Sequence, residues 1–183
     1  LCGAMVALQL ISALTESYGI SKRDVYRLLP YAALATICDV VELQGENRMV
    51  VQYGLKMIKN CKDVGLNALI DACEIDKNNI DSYHIGFVLG PCINASGRLD
   101  TAKKAMELLS ETNREKADIL ATSLKELNDE RKAMTEEGTK KAIEIAKDYD
   151  DNVLVIYLKD CHESIAGIIA GRVRERRNKP VIV

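Results

Sequence analysis

The chain has 183 residues, 48% of them hydrophobic and 28% charged, with a formal net charge of −2. That is enough apolar material for one sizeable core or two small ones, and it excludes a disordered chain. The near-neutral balance excludes a global field that would attract polyanions, so any nucleic-acid contact has to come from local clusters. Apolar runs are short and no basic segment precedes one at the start, which supports neither a membrane span nor a signal peptide. The expected compartment is therefore the cytoplasm.

Residues 3 to 18 read as a helix ended by Gly19, and "SKRD" opens the next one, with Ser21 as N-cap and Asp24 at the third helical position. Pro30 breaks or kinks that helix before "YAALATICDVVEL", whose "ICDVVEL" is the one candidate for an extended stretch in an otherwise helical first half. Further helical patterns cover roughly 46 to 59 and 64 to 73, and a shorter one opens at Ser82 and closes at Gly90-Pro91. From Asn113 to about Lys147, Ala117, Leu120, Leu124, Leu127, Met134 and Gly138 form one narrow apolar stripe, interrupted at Arg131. At 1.5 Å per residue such a helix reaches about 50 Å, and it reads as a connector between two domains rather than one arm of a bundle. The architecture then changes. "NVLVIYL", a helical stretch from about Ile165 to Arg177, and "VIV" after Lys179-Pro180 make a strand-helix-strand unit of the kind found in parallel sheets. In such sheets ligands gather beyond the carboxyl ends of strands, where helix N-termini offer unpaired N–H groups to anions, and "CHES" falls there. The chain starts inside an amphipathic pattern without a methionine and stops on a strand-like run, so material is expected on both sides.

The cysteines, at 2, 38, 61, 73, 92 and 161, include no CxxC or CxH pair. Structural zinc is not expected, and they read as reduced, mostly buried small hydrophobes.

Three stretches are candidates for chemistry. In "ATICDVVELQGENR", Asp39 stands among Ile37, Val40 and Val41, where a buried carboxylate would need a hydrogen bond, a cation or a metal. Capping the next turn, pairing with Arg48 and binding Mg²⁺ or Mn²⁺ are all open, and a metal would need further ligands from elsewhere. In "GPCINASGRLD", Gly90 and Pro91 stop a helix, Ala95, Ser96 and Gly97 admit a close approach, and Asn94 and Arg98 supply an amide and a forked cation suited to a phosphate. A plain helix–helix turn with Arg98 paired to Asp100 is equally open. In "CHESIAGIIAGR", His162 and Ser164 sit at a helix N-terminus, with Gly167 and Gly171 following; the alternative to ligand binding is N-capping plus close packing through the glycines. Arg172 is a better candidate for a ligand contact than the later arginines of "GRVRERRNK", which read equally well as a solvated face.

In this order the stretches resemble the DHH phosphoesterases of the RecJ-like branch. "ICDVVELQGENR" is similar to their fourth metal-binding motif, "GPCINASGRLD" to GPRxNAxGRLD, and "HESIAGIIAGRVRERRNKPVIV" to the HxGVxGIVASRLxERxxRPVIV segment that opens the accessory DHHA1 domain; "LCGAMVALQL" resembles the segment after the DHH triplet. The resemblance implies an α/β fold: residues 1 to 112 as the mostly helical C-terminal part of a DHH domain, 113 to 147 as a connecting helix, and 148 to 183 as the β-α-β start of DHHA1. It further implies metal-dependent hydrolysis of single-stranded DNA from the 5′ end, with roles in repair and recombination. By this match Asp39 is a catalytic metal ligand for Mn²⁺ or Mg²⁺, and Asn94, Arg98, His162 and Arg172 contact the substrate backbone. The earlier aspartates and the DHH triplet are absent from the 183 residues, so the remaining ligands are expected upstream and residues 1 to 183 alone are expected to be inactive. Cys92 stands where the family usually has arginine, Ser164 where it has glycine, and Gly171 where serine is common, which leaves substrate grip open. Related DHH enzymes cleave short RNA or cyclic dinucleotides, but their GGGH motif is not present here. A non-catalytic helical interaction module is the alternative from another class. Single-stranded DNA is the partner expected, with no membrane association.

Overall fold

Local capping sets the first helices. A computed structural model describes residues 1–19, 21–147, 149 and 151–183. In it α1 (Gly3–Tyr18) ends on Gly19 in the left-handed region, φ 65°, as the sequence leads one to expect. Ser21 caps the short α2 (Lys22–Tyr26), its hydroxyl accepting from the Arg23 N–H at 3.2 Å. Then α3 (Leu29–Cys38) starts with Pro30 inside its first turn, where a missing N–H costs no helical bond. After it come α4 (Gly45–Asn60) and α5 (Val64–Ala72), the latter capped by Asp63.

Two expectations fail in this half. "ICDVVEL" is not extended: Ile37 and Cys38 finish α3, and the chain leaves through a left-handed turn at Val40, φ 53°. The Val40 N–H bonds to the Ile37 carbonyl and the Val41 N–H to Thr36, which satisfies the last orphan carbonyls of the helix. Nor do Gly90 and Pro91 stop a helix. A widened π-turn (His84–Leu89) runs directly into α6 (Gly90–Leu99), so the small-residue stretch is itself helical. Proline cannot donate to a regular α-helical ladder, and the wider turn just before Pro91 is where the ladder changes register.

The small residues of α6 serve packing. A methyl group on Gly90 would run into the Cys38 thiol, and Cys92, Ala95 and Ser96 are fully buried. At Gly90 and Cys92 the close approach is made by α3 and by a later helix, while Gly97 is exposed. After α7 (Lys103–Ser110) comes α8 (Arg114–Ala146), capped by Asn113, whose side chain accepts from the Lys116 N–H. Its 33 residues belong to two separate cores. Ala117, Ala121 and Leu124 pack with Leu66, Leu69, Leu89 and Leu108 in the first, and Ala142 and Ala146 with Leu154, Ile165 and Ile169 in the second.

The last unit is β1 (Leu154–Val155), α9 (Glu163–Arg177) and β2 (Val181–Ile182), with the strands parallel and Leu154 opposite Val181. A parallel pair needs a crossover, and α9 supplies it. Gly167 and Gly171 face open space, so they are not the close-packing glycines of this helix; that position is Gly138 on α8, where a side chain would meet Ile169. The expected domain boundary at Asp148 lies outside the described residues. No described helix is long and apolar enough to cross a membrane.

Candidate phosphate-binding junction

The end of α6 meets the start of α9, and one arginine joins them. Arg98, in the last turn of α6, donates from Nη1 to the Ser164 carbonyl at 2.7 Å, across 66 residues of sequence. It does not pair with Asp100, whose carboxylate is held by Lys104. His162 is the N-cap of α9: its Nδ1 accepts from the Ser164 N–H at 3.3 Å and lies 2.7 Å from the Ser164 hydroxyl. An Nδ1 that accepts a backbone N–H carries no proton of its own in the neutral ring, which leaves Nε2–H free to donate outward. Ser164, the residue standing in place of the usual glycine, thus binds Arg98 through its carbonyl and His162 through its amide and hydroxyl. His162 also borders a cleft of about 330 Å³ between α8 and the loop before α9, with Glu137 and Lys141 on the α8 side.

Asn94 lies one turn before Arg98 on α6 and is exposed, as are Arg98 and Arg172. Arg172 on α9 lines a shallow pocket with Glu136, Lys140 and Arg176, in which Glu136 is paired to Lys140 at 2.8 Å. Neither Arg98 nor Arg172 forms an ion pair with a carboxylate among the described residues.

A third guanidinium belongs to this junction, from the position that only broke the apolar stripe in the sequence. Arg131 of α8 is half-buried, and its guanidinium is held below the usual arginine range by burial and then by the charges of Arg98 and Arg172. Its Nε and Nη2 both donate to the Asn128 side-chain oxygen, at 3.2 and 2.9 Å. The signal in the sequence is an arginine on the core-facing stripe of a helix, a position where charge is rare unless it has work to do. Cys92 points inward, only 1% exposed, with its sulfur 3.7 Å from that of Cys73 and accepting from Asn128 Nδ2 at 3.5 Å. The thiol of Cys73 is pushed above its ordinary range by its hydrogen bond to the Cys92 thiol and then by burial. Of the six cysteines only Cys2 and Cys92 are buried; Cys38, Cys61, Cys73 and Cys161 are half-buried, so the expectation of mostly buried thiols does not hold.

Asp39 is apart from this group. It is the C-cap residue of α3, and its side chain is exposed and makes no hydrogen bond or ion pair among the described residues, to Arg48 or to anything else. The desolvation cost expected of a carboxylate among valines is therefore not incurred. Cys38 beside it packs on Gly90, at the opposite end of α6 from Arg98, and eight residues of helix separate these ends by about 12 Å. The helix C-terminus and the free carboxylate together make a locally negative spot. Among the described residues no group of three or more His, Cys, Asp or Glu side chains is arranged to hold a metal.

No family model matches the chain. Among curated proteins, the single-stranded-DNA-specific exonuclease RecJ of Escherichia coli is 33% identical over 87% of the chain, and that of Thermus thermophilus is 34% identical over 99%. The RecJ of Dickeya dadantii is 31% identical over the whole chain. The chain spans 29%, 26% and 34% of those relatives, about a third of their length or less. A crystal structure of T. thermophilus RecJ in complex with Mg²⁺ superposes with a TM-score of 0.86 at 32% identity, covering 96% of this chain and 28% of that one. A structure of exonuclease RecJ bound to manganese gives 0.84 at 33% identity, covering 96% of this chain and 44% of the other. Over nearly its whole length, in sequence and in fold, the chain is RecJ-like.

Proposed function

We propose that the protein carrying this chain is a divalent-metal-dependent exonuclease of single-stranded DNA, acting in the cytoplasm in DNA repair and recombination, and that the junction of α6 and α9 holds the strand by its phosphates. The observation that carries this reading is the Arg98 to Ser164 bond: it ties the NASGR helix to the N-terminus of the CHES helix, where His162 is the cap, and Arg98 has no carboxylate partner among the described residues. We take residues 1 to 112, 113 to 147 and 148 to 183 as the end of a DHH domain, its connecting helix and the start of DHHA1.

Asp39 suits one ligand position of a Mg²⁺ or Mn²⁺ ion, since its carboxylate is exposed, unpaired and at the negative end of a helix. The described residues offer no complete ligand set, so the other ligands belong outside this stretch. A bound divalent ion would supply a water of lowered pKa and charge stabilisation at the attacked phosphate. The chain's own residues orient the strand. Arg98 and Arg172 offer planar forks to phosphate oxygens, Asn94 adds an amide donor one turn away, and His162 donates from Nε2.

The test offers the intact protein, with Mn²⁺, end-labelled single-stranded DNA, duplex DNA, short RNA and cyclic dinucleotides. Preferential loss of single-stranded DNA is expected, and preference for either of the last two overturns the reading. Asp39→Ala is expected to abolish cleavage while leaving strand binding and the circular-dichroism spectrum unchanged; near-normal turnover removes Asp39 from the metal site.

A further inference from the structure

Arg131 occupies a position where a helix facing a core normally carries an apolar side chain. Two of its five N–H donors are spent on one oxygen, that of Asn128, and no carboxylate pairs with it among the described residues. The nearby acid on its own helix, Asp129, is taken by Lys125 at 2.6 Å and Lys132 at 3.5 Å. Asn128 is fixed in turn: it is 1% exposed, and its amide nitrogen donates to the buried Cys92 sulfur, which leaves its oxygen to face the guanidinium. A chain of side chains from α6 to α8 thus fixes an arginine on the stretch of α8 that runs from its contact with α6, Asn128 on Cys92, to its contact with α9, Glu136 beside Arg172, and the like charges of Arg98 and Arg172 reach it there. A half-buried cation so held is unfavourable alone and is relieved by an anion with several acceptor oxygens.

We infer that Arg131, aligned by Asn128, is a third guanidinium gripping the phosphate of the bound single strand together with Arg98 and Arg172. Asn128 is the positioning residue, and Cys92 is the anchor of its amide. The inference rests on the single-stranded-DNA reading and adds to it a residue on the connecting helix, so that both cores of the chain contribute to one phosphate site.

The test measures equilibrium binding of the intact protein, without divalent metal, to a fluorescein-labelled oligothymidylate over a series of salt concentrations. For Arg131→Met the slope of log K against log salt is expected to become shallower by about 0.7, the value of one lost phosphate contact on a single strand. Affinity is expected to fall on the order of ten-fold. Arg131→Lys keeps the slope and loses part of the affinity, because the charge remains and the fork does not. Asn128→Ala keeps the slope while kcat/KM for strand cleavage falls, as expected of a residue that only aims the arginine. If the wild type binds steeply with salt and Arg131→Met has the same slope and an affinity within two-fold, this inference is wrong and the broader reading stands. If the wild type itself shows no salt-sensitive strand binding, the broader reading fails, and this one with it. Should Arg131→Met unfold, the Lys variant decides: an unchanged affinity there refutes the fork.

Discussion

Val40 is the most constrained residue next to the candidate metal ligand. A β-branched side chain at φ 53° clashes with its own backbone, and this one is 88% exposed, so no packing offsets the strain. It ends α3 where glycine would ordinarily stand, and it fixes the turn that follows Asp39. Val40→Gly should therefore stabilise the chain: relief of about 1–2 kcal/mol of left-handed strain exceeds the roughly 0.5–1 kcal/mol entropic cost of glycine. A higher denaturant midpoint for residues 1–183 with unchanged slope is the expected result, and an unchanged or lower midpoint would mean that the turn is not strained. Tyr31 allows a pH prediction. Its hydroxyl donates to Asp63, the cap of α5, and also lies 3.3 Å from the Leu109 carbonyl; burial first, then Asp63, push its pKa well above the ordinary tyrosine value near 10. Below about pH 10 both states hold the proton and the contribution is complete; above it the unfolded chain releases a proton that the folded chain keeps, and stability falls as pH rises. Tyr31→Phe should cost about 1 kcal/mol near neutrality and flatten the alkaline limb, as followed by urea titrations between pH 8 and 11. An alkaline limb of unchanged slope would refute the assignment.

At the scale of elements, α8 holds the two cores in one piece, and at Gly138 it runs close enough to Ile169 of α9 that an added methyl group would meet the isoleucine tip. Alanine there gains up to about 1 kcal/mol of helix propensity and loses a comparable amount by displacing the tip of a flexible isoleucine, so Gly138→Ala should be close to neutral. Gly138→Val adds bulk without the propensity gain and should lose about 1–3 kcal/mol in thermal or urea unfolding. Equal stability of the valine variant would show that α9 is not seated on α8 as described. The same helix shows how far the sequence could be read. Its length, its start near Asn113 and its apolar steps were legible because they are local and periodic. Arg131 read as an interruption because its meaning depends on α6 and α9, which meet it only in three dimensions. Gly90-Pro91 read as a stop because proline usually is one; the π-turn that carries the helix through to Leu99 has no signal of its own. "ICDVVEL" read as extended because its valines favour strands, and the turn at Val40 overrode that preference. Asp39, Arg98 and His162 were singled out by motif, whereas the bond partners of Arg98 and Asp100 were not, since side-chain pairing is decided by the fold.

At the scale of the whole molecule, α1 is covered on one side only. Cys2, at its N-cap, and Met5 are buried with Ala32 of α3 in a cluster separate from the two cores joined by α8, while Val6, Leu10, Leu14 and Tyr18, on steps of four residues, are exposed along the opposite face. Met49 and Tyr53 of α4 add further exposed apolar surface to this half of the molecule. Contiguous apolar surface of this kind is uncommon on a soluble monomer, and each large side chain gains about 1.5–3 kcal/mol when it is covered. A net charge of −2 supplies little repulsion to keep copies apart. Residues 1–183 on their own should therefore associate reversibly as concentration rises, with α1 in the contact. Sedimentation velocity over a hundred-fold concentration range should show a rising weight-average coefficient, and the double change Val6→Ser with Leu10→Gln should return it to the monomer value. Both positions are exposed, so the change leaves the buried face of α1 intact, and a matching far-UV spectrum would confirm that. A wild-type chain that stays monomeric throughout would mean that the exposed stripe is too narrow or too dispersed to hold a partner.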